Sequence, residues 1–142
     1  MFDRYQQHLA TPSDIQHHLP LLFSLAKGNV LELGTRSGVS TAALLAGVER
    51  QGGIVVSVDI EDCSQVAAGH KQWAFWKGSS TDESMAQDIA TYAGPFALIL
   101  VDTFHSYEQS TAELSLWGLL VTPGGVICMH DTETFPGVRR AA

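Results

Sequence analysis

Residues 30–41, VLELGTRSGVST, constrain the fold more than any other stretch. An apolar run ends in a turn, two glycines stand four residues apart at Gly34 and Gly38, and helix formers follow. An ordinary strand-to-helix connection needs one glycine at most, to relieve a strained backbone angle. The second glycine, together with Glu32 and the hydroxyls of Thr35, Ser37, Ser40 and Thr41, describes a loop shaped to hold something.

The rest of the chain repeats the same alternation. STAALLAGVE places Ala42, Leu45 and Val48 at helical spacing. GGIVVSVDI is a β-branched run between glycines and an acid, and PFALILVD is the clearest strand in the chain. WAFWKGSS reads as a third strand near a sheet edge, with Trp73 and Trp76 packing, and VICMHD as the fifth after a tight TPGG turn. DESMAQDIATYAG is a helix capped by Thr81 or Asp82 and stopped by Gly94, and SYEQSTAELSLWGLL is another. EDCSQVAAGHK marks a helix only poorly. Apolar strands alternating with helices predict an α/β, doubly wound, mainly parallel sheet. Before it, Ser13 or Asp14 caps a short helix and Pro20 opens the next, so residues 1–28 form a helical segment over the sheet or the ligand mouth. The adjacent His17 and His18 read as solvated surface residues.

Composition narrows the function. With 142 residues there is room for one domain, 1–142, around one core. A net charge of −7 and eight scattered Lys and Arg give no cationic patch, which disfavours a nucleic-acid partner. No apolar run approaches the roughly 20 residues of a membrane span, and the N-terminus lacks a signal-peptide pattern. Cys63 and Cys128 have no zinc spacing; Cys63 reads as a mildly reactive loop thiol and Cys128 as a small core residue. A cytoplasmic, reducing home is the expectation.

Four acids stand at strand ends: Glu32, Asp59, Asp102 and Asp131. Ligands bind open parallel sheets at those ends. Asp59 lies 21 residues beyond Gly38, near the ~20-residue offset of a ribose-binding carboxylate. It could equally cap the segment that follows. The loop breaks the GxGxxG spacing of a dinucleotide site but fits E-x-G-x-x-x-G around the methionine portion of S-adenosylmethionine.

In order, VLELGTRSGVSTAALL, VVSVDI, WKGSSTD, LILVDTFHSYEQSTAEL and LLVTPGGVICMHDT resemble the class I S-adenosylmethionine-dependent methyltransferases. The likeness is greatest to the small-molecule O-methyltransferase branch, with cephalosporin-hydroxylase-like and rhamnosyl O-methyltransferase-like proteins. It implies a Rossmann-like sheet of strand order 3-2-1-4-5. It also implies that Glu32, Gly34, Thr35 and Gly38 line the methionine part, with Ser40 on its carboxylate. Asp59 would take the ribose hydroxyls, Ile60 would lie against the adenine, and Gly78, Ser79, Ser80 and Thr81 would meet its edge. Asp102 would lie beneath the sulfonium.

The metal-dependent relatives place an acid after strand four and a pair after strand five. Asp102 and Asp131 match, while His130 departs from the usual acid. Two carboxylates and one histidine suit Mn²⁺ or Fe²⁺ at least as well as Mg²⁺. Asp131 is read either as a ligand or as an acid capping the next turn. His105, in DTFH where relatives have DGDH, is read as a general base or as a helix cap. The usual strands six and seven have no counterpart, so strand five is an open edge that a homodimer or the tail would cover. Two other readings compete with an O-methyltransferase of a small hydroxylated molecule. One is a truncated or weakly catalytic S-adenosylmethionine-binding protein, the other an NAD-dependent oxidoreductase.

Overall fold

The computed structural model describes residues 1–142. Helix α1 (Phe2–Leu9), a 3₁₀ turn (Gln16–His18) and α2 (Leu19–Leu25) precede β1 (Val30–Leu33) and α3 (Val39–Gln51). Then come β2 (Val55–Asp59), β3 (Trp73–Lys77), α4 (Glu83–Ala93), β4 (Phe96–Val101), α5 (Tyr107–Trp117), β5 (Val121–Met129) and α6 (Pro136–Ala141). No helix is long and apolar enough to cross a membrane.

The five strands form one sheet in the order β3-β2-β1-β4-β5, every pairing parallel, as the sequence predicts. The central strand β1 is buried along its whole length, which is why its residues read as an unbroken apolar run. Alternate residues serve opposite faces. Val30 joins a core with Leu44, Leu45, Val55 and Leu98 under α1, α2 and α3. Leu31 and Leu33 join the other, with Ile89, Phe96, Ile99 and Trp117 under α4 and α5. In the N-terminal segment, Tyr5 of α1 stacks on Phe23 of α2 at 4.9 Å between ring centroids.

Several local expectations are corrected. TPGG is part of β5, where a register shift opposite Phe96 and Leu98 absorbs the extra residues as a bulge. Neither Ser13 nor Asp14 caps a helix: Ile15 precedes the 3₁₀ turn, and Asp14 Oδ1 accepts the Ile15 N–H instead. Residues 61–70 form turns rather than a helix. Cys63 is buried rather than exposed in a loop, and burial together with the nearby Asp59 carboxylate pushes its thiol up to about 11, which disfavours the thiolate. Ser106, not His105, caps α5 by accepting the Gln109 N–H. Asp82 caps α4, Pro20 lies in the first turn of α2, and His17 and His18 are exposed, as expected. The outer side of β5 pairs with no strand, while α6 packs on α5, burying Val138 and laying Arg140 over the Tyr107 ring.

Candidate functional site

The parallel register brings the carboxyl ends of all five strands to one rim. Backbone bonds carry the alignment past the strands: Gly34 N–H to Val58 O, Gly78 N–H to Asp59 O, Asp102 N–H to Leu33 O and His130 N–H to Val101 O. The residues singled out in the sequence therefore converge there.

Gly34 (φ +93°) shows why the loop needs glycine. A Cβ at that position would lie 1.9 Å from the Asp102 carbonyl oxygen. The backbone approach, more than room for a ligand, requires it. Asp59 then locks the loop. Its Oδ2 accepts the backbone N–H of Thr35 at 2.8 Å and of Arg36 at 2.9 Å, and its Oδ1 that of Glu61 at 2.9 Å. Burial alone would raise the carboxyl's pKa, but the N–H groups of Arg36, Glu61 and Thr35 outweigh it and hold it below the ordinary range. The carboxylate thus draws the β1 loop to the end of β2, a role the sequence did not reveal.

Glu32 lies beneath the cavity rather than on its wall. Fully buried, it accepts from Ser40 Oγ (2.7 Å), Thr41 Oγ1 (2.8 Å) and Ser57 Oγ (2.6 Å). Burial pushes its pKa up to about 7, against the three hydroxyls that favour the charged form. Its job is to fasten the start of α3 to β1 and β2. Ser40's proton is thereby engaged. Thr35 Oγ1 is buried with no partner, as is Ser13 Oγ from the N-terminal segment.

Those two hydroxyls belong to residues lining a cavity of about 370 Å³, along with Gly34, Ser40 and Asp102. Over it, Arg36 Nη1 meets Asp14 Oδ2 at 3.0 Å, and the Arg36 guanidinium holds the Asp14 carboxyl below its ordinary range. Arg36 has φ +46°, a left-handed backbone that non-glycine residues adopt only occasionally. A second cavity of about 400 Å³ shares Gly34, Arg36 and Asp102 and continues past Asp59, Ile60, Gly78, Ser79 and Ser80 to Phe104 and Gln109. Ile60 and Phe104, which with Val58 form the apolar part of this wall, are exposed, 68% and 75% accessible. Of the predicted residues, Gly38 and Thr81 do not line either cavity. Gly38 packs on Val66, and Thr81 Oγ1 bonds Ser79 Oγ.

The floor of the second cavity rests on a carboxylate that sequence reasoning missed. Glu113, fully buried on α5, accepts on one oxygen from Ser80 Oγ, Thr103 Oγ1 (2.7 Å) and Gln109 Nε2 (2.8 Å). It joins the loops after β3 and β4 to α5. A mid-helix glutamate ordinarily reads as a solvated surface residue, so no sequence signal pointed to it.

Asp102, which lines both cavities, and His105 from the β4 end face His130 and Asp131 from the β5 end. One donor atom from each lies within 4.8 Å of the other three. His130 Nδ1 is 3.2 Å from Asp102 Oδ1 and 3.3 Å from Asp131 Oδ2; His105 Nε2 is 3.6 and 3.0 Å from the same oxygens. Both nitrogens are buried, and neither is oriented to make a hydrogen bond. The Asp102 carboxylate holds His130 above the ordinary imidazole range, with burial opposing it and Asp131 assisting. Asp131 itself has φ +58°. Two imidazole nitrogens converging with two carboxylates are a donor set fit for a divalent cation. A third cavity of about 360 Å³ opens on the far side, with Ile15, His18, Leu21, Cys128, His130 and Asp131 among its walls.

A family model described as a methyltransferase domain matches residues 31–132, from β1 to just past β5. The chain belongs to the methyltransferase-domain family. The span of this methyltransferase match includes every residue of the cluster and both glycines of the loop. The chain is 29% identical over 129 residues to the O-methyltransferase hkm8 of Aspergillus hancockii, covering 84% of this chain and 50% of that protein. It thus spans half the length of the curated relative it matches. The MycE methyltransferase of the mycinamycin pathway, solved with Mg, SAH and mycinamycin VI, superposes with a TM-score of 0.75 at 22% identity, over 96% of this chain and 38% of that one. An O-methyltransferase from Bacillus cereus, solved with SAH, superposes at 0.73 and 21%, over 98% of this chain and 74% of that one. These methyltransferases share the fold.

Proposed function

We propose that residues 1–142 form the catalytic unit of an S-adenosylmethionine-dependent O-methyltransferase acting on a small hydroxylated molecule. The observation that carries this reading is the pair of adjoining cavities that share Gly34, Arg36 and Asp102, with the unpartnered buried hydroxyls of Thr35 and Ser13 beside the first and Asp102 linking both to the Asp–His cluster. The names of the relatives, O-methyltransferases among them, support it.

S-adenosylmethionine, when bound, supplies a methyl carbon on a sulfonium that passes to an acceptor oxygen as the C–S bond breaks. Thr35 Oγ1 and Ser13 Oγ, free of other partners, hold the amino-acid end, and the Arg36–Asp14 pair closes over it. Asp59, with one acceptor site left on Oδ1 beyond its three backbone bonds, accepts from a ribose hydroxyl. Ile60 and Phe104 cover the adenine faces while the Gly78–Ser80 segment meets its edge. A divalent ion at Asp102, His130 and Asp131 would supply Lewis acidity, lowering the pKa of the acceptor hydroxyl. His105 Nε2, unpartnered beside these residues, accepts the hydroxyl proton. The cavity beyond His130 receives the acceptor. The unpaired edge of β5 supports a homodimer as the assembly.

Calorimetric titration with S-adenosylhomocysteine and, separately, NADH tests the cofactor. The reading expects a micromolar dissociation constant for the first, about −8 kcal/mol, and no heat from the second. The reverse result would return the chain to the oxidoreductase reading.

A further inference from the structure

We propose that the centre built from Asp102, His105, His130 and Asp131 selects a borderline first-row cation, of the Zn²⁺, Co²⁺, Ni²⁺ or Fe²⁺ class, over Mg²⁺. The proposal rests on the reading of this cluster as the metal centre of a methyltransferase.

Donor chemistry is the first argument. Half of the four donors are imidazole nitrogens. Imidazole suits zinc, iron and nickel, whereas Mg²⁺ takes carboxylates, phosphates and retained water. A site built for Mg²⁺ gains little from the imidazole of His130, which is only 7% exposed.

Geometry is the second. An ion with bonds of about 2.0–2.2 Å sets neighbouring donors roughly 3.0 Å apart at right angles and roughly 3.4 Å apart in a tetrahedron. The four nitrogen–oxygen separations here are 3.0, 3.2, 3.3 and 3.6 Å. Neither nitrogen meets hydrogen-bond geometry at these distances, so both lone-pair sites stay aimed at the space between the two carboxylates.

Preorganisation is the third. The His105 ring stacks on Phe135 at 4.3 Å and 14°, which fixes its plane. His18 meets His130 edge-on at 5.5 Å. Asp131 is held at φ +58°, a conformation that turns its carboxylate back toward β4 at some cost in backbone energy. His105 is the more exposed imidazole, at 28% for its side chain against 5% for His130. It would therefore be the donor that an acceptor hydroxyl displaces, with Nε2 then free for the proton as proposed above.

The test uses the whole protein stripped with EDTA and titrated anaerobically with Co²⁺, read by visible d–d absorption. One equivalent should bind, a thousandfold excess of Mg²⁺ should leave the spectrum unchanged, and one equivalent of Zn²⁺ should bleach it. His130→Asp, which exchanges nitrogen for oxygen, should weaken Co²⁺ binding at least tenfold and let Mg²⁺ compete. His130→Gln, closer in size, guards against a folding defect, with far-UV circular dichroism checked for both. Displacement of Co²⁺ by comparable Mg²⁺, or Co²⁺ affinity unchanged in both folded variants, would overturn the proposal. Titration of the metal-free protein with S-adenosylhomocysteine separates the two readings. Nucleotide binding without cobalt selectivity sinks only the metal inference, and cobalt selectivity without nucleotide binding sinks only the methyltransferase one.

Discussion

Asp59 accepts the backbone N–H of Thr35 at 2.8 Å, so the end of β2 holds the loop that follows β1. A single carboxylate fixes the shape of the loop and faces the cavity beyond it. Asp59→Ala should therefore weaken S-adenosylhomocysteine binding by about 2 kcal/mol or more, roughly thirtyfold, because charged hydrogen bonds of this kind contribute about 1.5–3 kcal/mol each. Calorimetry checks it; a variant that binds as tightly as the native chain contradicts the role. The depressed pKa has a sign as well. Asp59 contributes stability that is present above the ordinary carboxylate range and is lost as pH falls through its lowered folded value.

Glu32 has the opposite sign. Its pKa rises to about 7 on folding, chiefly through burial, so the folded chain holds a proton that the unfolded chain releases near pH 4.3. Between those values stability declines as pH rises, by up to about 1.4 kcal/mol per pH unit from this group. Above about pH 7 the cost is fully present. Glu32→Gln should flatten that dependence and melt at least as high as the native chain at pH 8, since the three hydroxyls can rotate to suit an amide. Melting curves from pH 5 to pH 8 read this directly; an unaltered slope in the variant would assign the dependence elsewhere.

Gly34→Ala should abolish nucleotide binding. The new Cβ would collide with the Asp102 carbonyl, a backbone atom that cannot move without displacing the cluster. Gly118→Ala is the control. It has φ −60° and its nearest neighbour would be Ile127 Cδ1 at 4.0 Å, so its melting temperature should shift little.

Glu113→Ala would leave Ser80, Thr103 and Gln109 without their shared acceptor. A loss of about 3 kcal/mol of stability is expected from the broken buried network. Glu113→Gln, which keeps the volume, should fold and weaken binding of adenosine more than binding of methionine, since only the second cavity rests on it. Equal effects on both ligands would show that Glu113 acts on the fold alone.

Much of the sheet was legible because buried parallel strands are continuous apolar runs, as in Val30–Leu33 and Phe96–Val101. TPGG was misread because local turn chemistry cannot disclose a register shift against β4. The Asp–His cluster was visible in part. Asp102 and Asp131 mark the ends of neighbouring strands, but only their pairing brings His105 Nε2 to 3.0 Å from Asp131. Ser13 and Asp14 read as cap residues, yet they reach across some twenty positions of chain to the β1 loop. Contacts of that kind are set by packing of the N-terminal helices and leave no local pattern.

A crystal structure of the chain with S-adenosylhomocysteine tests the central claim most directly. The account predicts the amino-acid end within hydrogen-bond reach of Thr35 Oγ1, the ribose on Asp59, and the adenine between Ile60 and Phe104. Density for the nucleotide in another place, or none with the two joined cavities open to solvent, would contradict it.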